Sequence, residues 1–227
     1  MIADNIRIVE FQIQKACTAI GRRCEQIKIV CVTKYADVSQ IKEAAASGIK
    51  DIGESSVKDA REKFNTIGSV VQWHLVGHLQ TNKVKHAVEF FDYIHSLDSI
   101  YLANKLQRYL EQKNRFIKAF VQVNVSGEKT KSGIKPEEAE DFIRQCIAFK
   151  NINIIGLMTI APYAENPEDA RKYFLTLRQI RDRIKKDVSE NIHELSMGMT
   201  QDYGVAVEEG ATFVRLGSAI FDRTTNR

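Results

Sequence analysis

A lysine, Lys34, ends the apolar run "IKIVCVTK", and two stretches that mix glycine with hydroxyl residues, "SMGMT" (196–200) and "RLGSAIF" (215–221), lie near the other end of the chain. A lysine amine attacks carbonyl carbon, and partial desolvation makes it easier to deprotonate for that step. Glycine beside Ser or Thr at a strand end exposes backbone N–H groups that suit a phosphate. Arg215 opens the second stretch and supplies a donor that stays charged. Each feature also has a plain alternative. Lys34 can mark where a strand meets solvent, and Gly198 and Gly217 can serve tight turns while the hydroxyls cap helices. The chemistry depends on a fold that brings the three together.

The elements that must do so are legible as alternation. Apolar runs at 27–33, 49–54, 70–77, 91–97, 116–125, 152–160, 192–198 and 212–221 are separated by amphipathic segments. Helices are expected at 37–47, 56–65, 80–90 and 202–209. Others begin at Asp98 as a cap, at Pro136 and at Asn166–Pro167. Before the first run, Ile2, Ile6, Val9, Ile13, Cys17 and Ile20 recur at three and four, with Gly21 as a stop. Eight strand–helix units define an α/β fold, a single (β/α)8 TIM barrel over about 27–221 with an additional N-terminal helix at 1–25. One domain is expected across 1–227. The competing open doubly wound sheet usually carries a glycine-rich turn after its first strand, and "VTKYAD" has none.

Composition excludes several classes. Lys and Arg number 33 against 29 Asp and Glu, a net charge of only +4, without a basic tail, so nucleic acid is not an expected partner. No apolar run spans a bilayer, and the N-terminus lacks a secretory h-region. Cys17, Cys24, Cys31 and Cys146 form no C-x-x-C pair, which points to a reduced, cytoplasmic protein without structural zinc. "SGEKTKSG" (126–133) is not a phosphate loop, because its second glycine comes one residue late; Lys129 and Lys131 are read as surface charges. His74 and His78 are four apart, but on a strand, so they are read as a core and a mouth histidine and not as metal ligands. Trp73 is expected in the core, and Arg22 and Arg23 at a solvated helix end.

In such barrels the site lies at the carboxyl ends of the strands. There the sequence offers Lys34, Glu54, Ser55, His78, Asn124, Met158, Thr159, the 196–200 stretch and the 215–218 stretch. Strands one and eight adjoin in a closed barrel, so Lys34 faces the loops after strands seven and eight, where many barrels hold a phosphate. A phosphorylated aldehyde held there while lysine forms a Schiff base describes pyridoxal 5'-phosphate, with Arg215 at the pyridine nitrogen. Because arginine does not give up its proton, the ring would be a weaker electron sink than one facing a carboxylate.

"VTKYAD", "WHLVGHLQTNK", "VNVSGEKTKSGI", "GLMTI" and "LSMGMTQDYGVAVEEGATFVRLGSAIF" together resemble the pyridoxal phosphate homeostasis protein (YggS/PROSC) family, in order, from about residue 27 to 221. The resemblance implies a barrel similar to the N-terminal domain of alanine racemase. It also implies pyridoxal phosphate on Lys34, its phosphate held by Ser196, Thr200, Gly217 and Ser218, and Arg215 at the ring nitrogen. Ser55, His78, Met158, Met197 and Gly198 complete the expected cofactor-binding set. The implied role is to carry or buffer the cofactor for pyridoxal-phosphate-dependent apoenzymes, without robust turnover. The alternative is a racemase-like enzyme, which needs a second base on the opposite face of the cofactor. In alanine racemase an added β domain supplies that base. No such domain follows the eighth run here, so a monomeric, non-catalytic barrel is expected. Where the family often reads G-E-N-Y, this chain reads "GESS" (53–56), which predicts a roomier or wetter pocket beside Ser55 and Ser56.

Overall fold

The computed structural model describes residues 1–128 and 130–222, so Lys129 lies outside the described residues. The eight apolar runs form β1 (Lys28–Val32), β2 (Asp51–Glu54), β3 (Gln72–Leu75), β4 (Tyr93–Leu97), β5 (Ile117–Gln122), β6 (Ile152–Met158), β7 (Glu194–Met199) and β8 (Phe213–Leu216). They pair in parallel and in sequence order, and β8 closes on β1 from Lys28↔Phe213 to Cys31↔Leu216. Both faces of such strands are buried, which is why they read as continuous runs of Val, Ile and Leu. Alternate residues serve two cores. Cys31, Ile52, Trp73, Leu195 and Val214 join the shell between strands and helices. Val30, Tyr93, Phe120, Ile155, Met158 and Phe213 fill the barrel itself.

The outer layer is α1 (Ile2–Ala19), α2 (Val38–Ala46), α3 (Val57–Ile67), α4 (Val84–Ala87), α5 (Ile100–Lys113), α6 (Ala139–Cys146), α7 (Arg171–Asp187), α8 (Tyr203–Glu208) and α9 (Ser218–Phe221). The expected N-terminal stripe is the buried face of α1, which packs on α2, α8 and α9. That helix stops at Ala19, and Gly21 follows at φ +65°, so the element is shorter than 1–25. Arg22 is not simply solvated: it donates to the Val207 carbonyl at 3.1 Å.

Four other expectations need correction. The segment 80–90 holds only a 3-10 turn and the short α4, where Phe90 and Phe91 turn inward and pack on each other in a tilted pair with centroids 4.4 Å apart, with Phe90 also against Phe64. Ser99, not Asp98, caps α5, accepting from Leu102 N at 3.3 Å, while Asp98 faces His78 at 3.6 Å. Pro136 and Pro167 open 3-10 turns ahead of α6 and α7. The run 212–221 is a strand and a helical turn joined at Gly217, a split that an unbroken apolar pattern cannot reveal.

Two polar rings interrupt the apolar barrel interior. His74 stacks on Tyr93 with centroids 4.1 Å apart, and His95 packs on Phe120 at 4.4 Å. Burial holds the His74 imidazolium below its ordinary range, against the pull of Asp51. Burial holds His95 well below its ordinary range, and the charges of His74 and Arg215 push it the same way. Both native rings therefore refuse protons that an unfolded chain takes up near its ordinary pKa of about 6.5. Their contribution is present above that pH and is lost as pH falls below it, by up to about 1.4 kcal/mol per pH unit for each refused proton. Thermal unfolding should therefore show a midpoint that drops between pH 7 and pH 5, with a shallower drop in His95→Gln. Equal slopes for the two proteins would refute this.

Candidate functional site

A cavity of about 570 Å³ opens at the mouth formed by the carboxyl ends of the strands. Its walls are apolar at Val32, Val76, Ile160, Ala161 and Pro162 and polar at Lys131, Thr200, Asp202, Arg215 and Ser218. This size and this mixture suit a small ring compound fixed by a few polar groups.

Arg215 is the fixed point. It is 4% exposed, donates to Ser196 Oγ at 2.6 Å and to the Thr159 carbonyl at 2.8 Å, and lines the cavity. Burial pulls the guanidinium down to about 10, opposed by Asp202, so it stays charged at neutral pH. Asp202 accepts from Met199 N at 2.6 Å. Burial pushes its carboxyl above the usual range, against that hydrogen bond and the charge of Arg215.

The loop after β7 reaches the same cavity through Met199, Thr200 and Gln201. Thr200 Oγ1 accepts from Ala219 N at 3.3 Å, which ties this loop to the first turn of α9 beside Gly217 and Ser218. Gly198 makes the turn possible. Its φ is +89°, and a Cβ there would meet the Ala206 Cβ at 2.5 Å.

The expected residues divide into groups. Thr200, Arg215, Gly217 and Ser218 come together on the cavity. Ser196 lies deeper. It is a buried β7 residue held between His95 and Arg215, and the helix expected to open within 196–200 starts only at Tyr203. Met158 is buried in the barrel interior, and Met197 faces the outer shell. Ser55 and His78 line a neighbouring groove with Lys58 and Lys83. Ser56 caps α3, accepting from Asp59 N at 3.4 Å.

Lys34 lies two positions beyond Val32, the cavity residue that ends β1, on the turn that follows the strand, and does not itself line the cavity. The backbone before it is pinned. Thr33 Oγ1 donates to Glu54 Oε1 at 2.5 Å, and Lys63 Nζ donates to the Thr33 carbonyl at 2.5 Å and to Glu54 Oε1 at 2.7 Å. Asp37 and Gln40 form a capping box that starts α2. The side chain itself is exposed, with Nζ 4.8 Å from the Tyr35 ring centroid, so the expected partial desolvation is not present.

Lys131, read from sequence as a surface charge, instead leans into the cavity, and its Nζ lies 3.4 Å from Glu128. Asn124 Nδ2 holds this loop by donating to the Glu128 and Lys131 carbonyls at 2.9 and 3.2 Å. Asp202 and His95 were not foreseen either. Their signals were an acid between two glycine-containing elements and a histidine inside the buried strand "YIHSL".

The family model described as the alanine racemase N-terminal domain matches residues 10–224, nearly the whole of this closed parallel barrel. The chain belongs to that family, and within it to the pyridoxal phosphate homeostasis proteins. The pyridoxal phosphate homeostasis protein of Aquifex aeolicus is 39% identical over 95% of this chain and 94% of its own length. That of Synechocystis is 37% identical over 86% and 90%. PipY of Synechococcus elongatus with pyridoxal phosphate bound superposes with a TM-score of 0.84 at 30% identity, covering 97% of this chain and all of PipY (100%). Alanine racemase of Clostridium difficile shares the fold alone, with a TM-score of 0.75 at 15% identity over 56% of its length.

The positive φ at Gly198 and the contact with Ala206 set a stability expectation. Gly198→Ala should cost about 2–4 kcal/mol, combining a left-handed backbone penalty with overpacking. Urea unfolding of the full chain measures it, and a loss below about 1 kcal/mol would mean that the turn relaxes freely.

Proposed function

We propose that this chain binds pyridoxal 5'-phosphate reversibly at the barrel mouth through Lys34 and carries or buffers it, without turning over an amino acid. The observation that carries the reading is a buried, charged Arg215 lining a cavity that also takes in Val32, the last residue of β1, two positions before Lys34. The donor set fits the ligand. Apolar walls match a ring, Arg215 matches a ring nitrogen that accepts, and the Thr200 and Ser218 hydroxyls with the Lys131 ammonium match a phosphate.

When bound, the cofactor supplies an aldehyde carbon open to amine attack. Lys34 provides the amine from a pinned backbone, and because the side chain is exposed, water can take and return its proton. Arg215 donates a hydrogen bond and keeps its proton. Asp202 balances the guanidinium charge. An accessible amine favours exchange with other amines, as a carrier requires. The names of the Aquifex and Synechocystis relatives support cofactor homeostasis over catalysis. We extend the reading to pyridoxal-phosphate-dependent apoenzymes as recipients and to a monomer in the cytoplasm. Support for the compartment is that all four cysteines are free, and among the described residues no helix is long and apolar enough to cross a membrane.

The test is the visible spectrum with pyridoxal phosphate, followed by borohydride reduction and peptide mapping. The adduct should map to Lys34 and vanish in Lys34→Ala with the fold intact; an adduct retained in that variant sinks the assignment. Arg215→Ala should weaken retention about 10- to 100-fold, as expected for a charged hydrogen bond, and alter the bound spectrum. A racemization assay on the loaded protein should read background, and sustained turnover would favour the racemase-like alternative.

A further inference from the structure

A string of hydrogen bonds crosses the barrel from floor to mouth. Asp51 Oδ1 meets His74 Nε2 at 2.8 Å, and His74 Nδ1 meets His95 Nε2 at 3.0 Å. His95 Nδ1 meets Ser196 Oγ at 2.8 Å, and Ser196 Oγ accepts from Arg215 at 2.6 Å. The two ends are chemically opposite: a carboxylate only accepts and a guanidinium only donates. Burial keeps both imidazoles neutral, so each carries one proton. One ordering alone then fills all four links. His74 donates from Nε2 to Asp51, His95 donates from Nε2 to His74, Ser196 donates to His95, and Arg215 donates to Ser196.

We infer that Asp51, at the floor of the barrel, is a positioning residue for Arg215 at the cavity, acting through His74, His95 and Ser196. The inference rests on the reading that Arg215 meets the cofactor's ring nitrogen. Asp51 acts because it cannot donate. Its carboxylate fixes the His74 proton on Nε2, which fixes the His95 proton on Nε2, which leaves Ser196 a donor to His95 and an acceptor for Arg215 alone. With an amide at position 51 the first link can reverse. His95 can then donate from Nδ1, and Ser196 must accept from both sides while its own hydrogen loses its partner. The guanidinium is then held less firmly. A role in packing alone makes a different prediction, since the ring stacking of His74 on Tyr93 does not depend on the charge at Asp51.

The experiment has two readouts on the full chain. Long-range proton–nitrogen spectra of the histidine-labelled protein without cofactor should place the proton of both His74 and His95 on Nε2, and Asp51→Asn should mix the forms. A proton on Nδ1 of either ring in the unaltered protein overturns the ordering without reference to any cofactor. With pyridoxal phosphate bound, Asp51→Asn should shift the absorbance maximum and weaken retention about 2- to 10-fold, the range of one perturbed buried hydrogen bond. The reduced adduct should stay on Lys34. If Arg215→Ala changes the spectrum and Asp51→Asn does not, the relay is refuted and the cofactor site stands. If neither changes it, the inference falls together with the role of Arg215, while the tautomer spectra still report whether the string is ordered.

Discussion

The polar groups inside the barrel are arranged around one buried positive charge, that of Arg215. A guanidinium removed from water is strongly unfavourable unless its donors are met and its charge is balanced. Arg215 meets this through Ser196, the Thr159 carbonyl and the nearby Asp202. Ser196 must therefore face inward, where a hydrophobic residue would otherwise complete the layer. The register shift between Ser196 and Met199 and the positive φ of Gly198 then return the chain to the mouth, where Asp202 can reach Met199 N. The two histidines continue the polar side of the interior, and Phe120, Tyr93 and Phe213 fill the remainder.

The molecule divides into a set floor and an open mouth. At the floor Lys28 and Lys118 stand over the Tyr93 ring at 5.7 and 5.0 Å, closing the barrel with cations on an aromatic face. At the mouth, Lys34 emerges from a turn whose backbone is locked by Thr33, Glu54 and Lys63. Position is fixed at the Cα and freedom is left to the side chain. On the proposed reading, an exposed amine on a fixed backbone stays open to competing amines, which suits exchange of a cofactor.

The strands and the barrel order were readable because parallel strands buried on both faces leave continuous apolar runs. Their ends were less so. The run 212–221 hid a strand and a helical turn, and the helix expected over 80–90 gave way to two inward-turning phenylalanines. At the cavity, Thr200, Arg215, Gly217 and Ser218 come together as their places at strand ends suggest, whereas Lys34 stands exposed on the turn after β1. Ser196 was found for the wrong neighbourhood, because its partner His95 lies 101 positions away in the chain and no local pattern couples them. Lys131 was missed for a similar reason. Only the fold of the loop around Asn124 turns it inward.

The choice of arginine beside the cavity has a consequence for chemistry. A carboxylate facing a pyridine nitrogen favours its protonation and makes the ring a strong electron sink. Arg215 donates without transferring a proton, because even after burial its pKa of about 10 lies well above neutral. A ring held this way, as the proposed function has it, would be oriented but not electronically primed. Ser56 is engaged as a helix cap, and Ser55 borders a separate groove, so neither closes a wall over the main cavity. On the proposed reading, a ring so oriented, unprimed and loosely covered suits release better than carbanion chemistry.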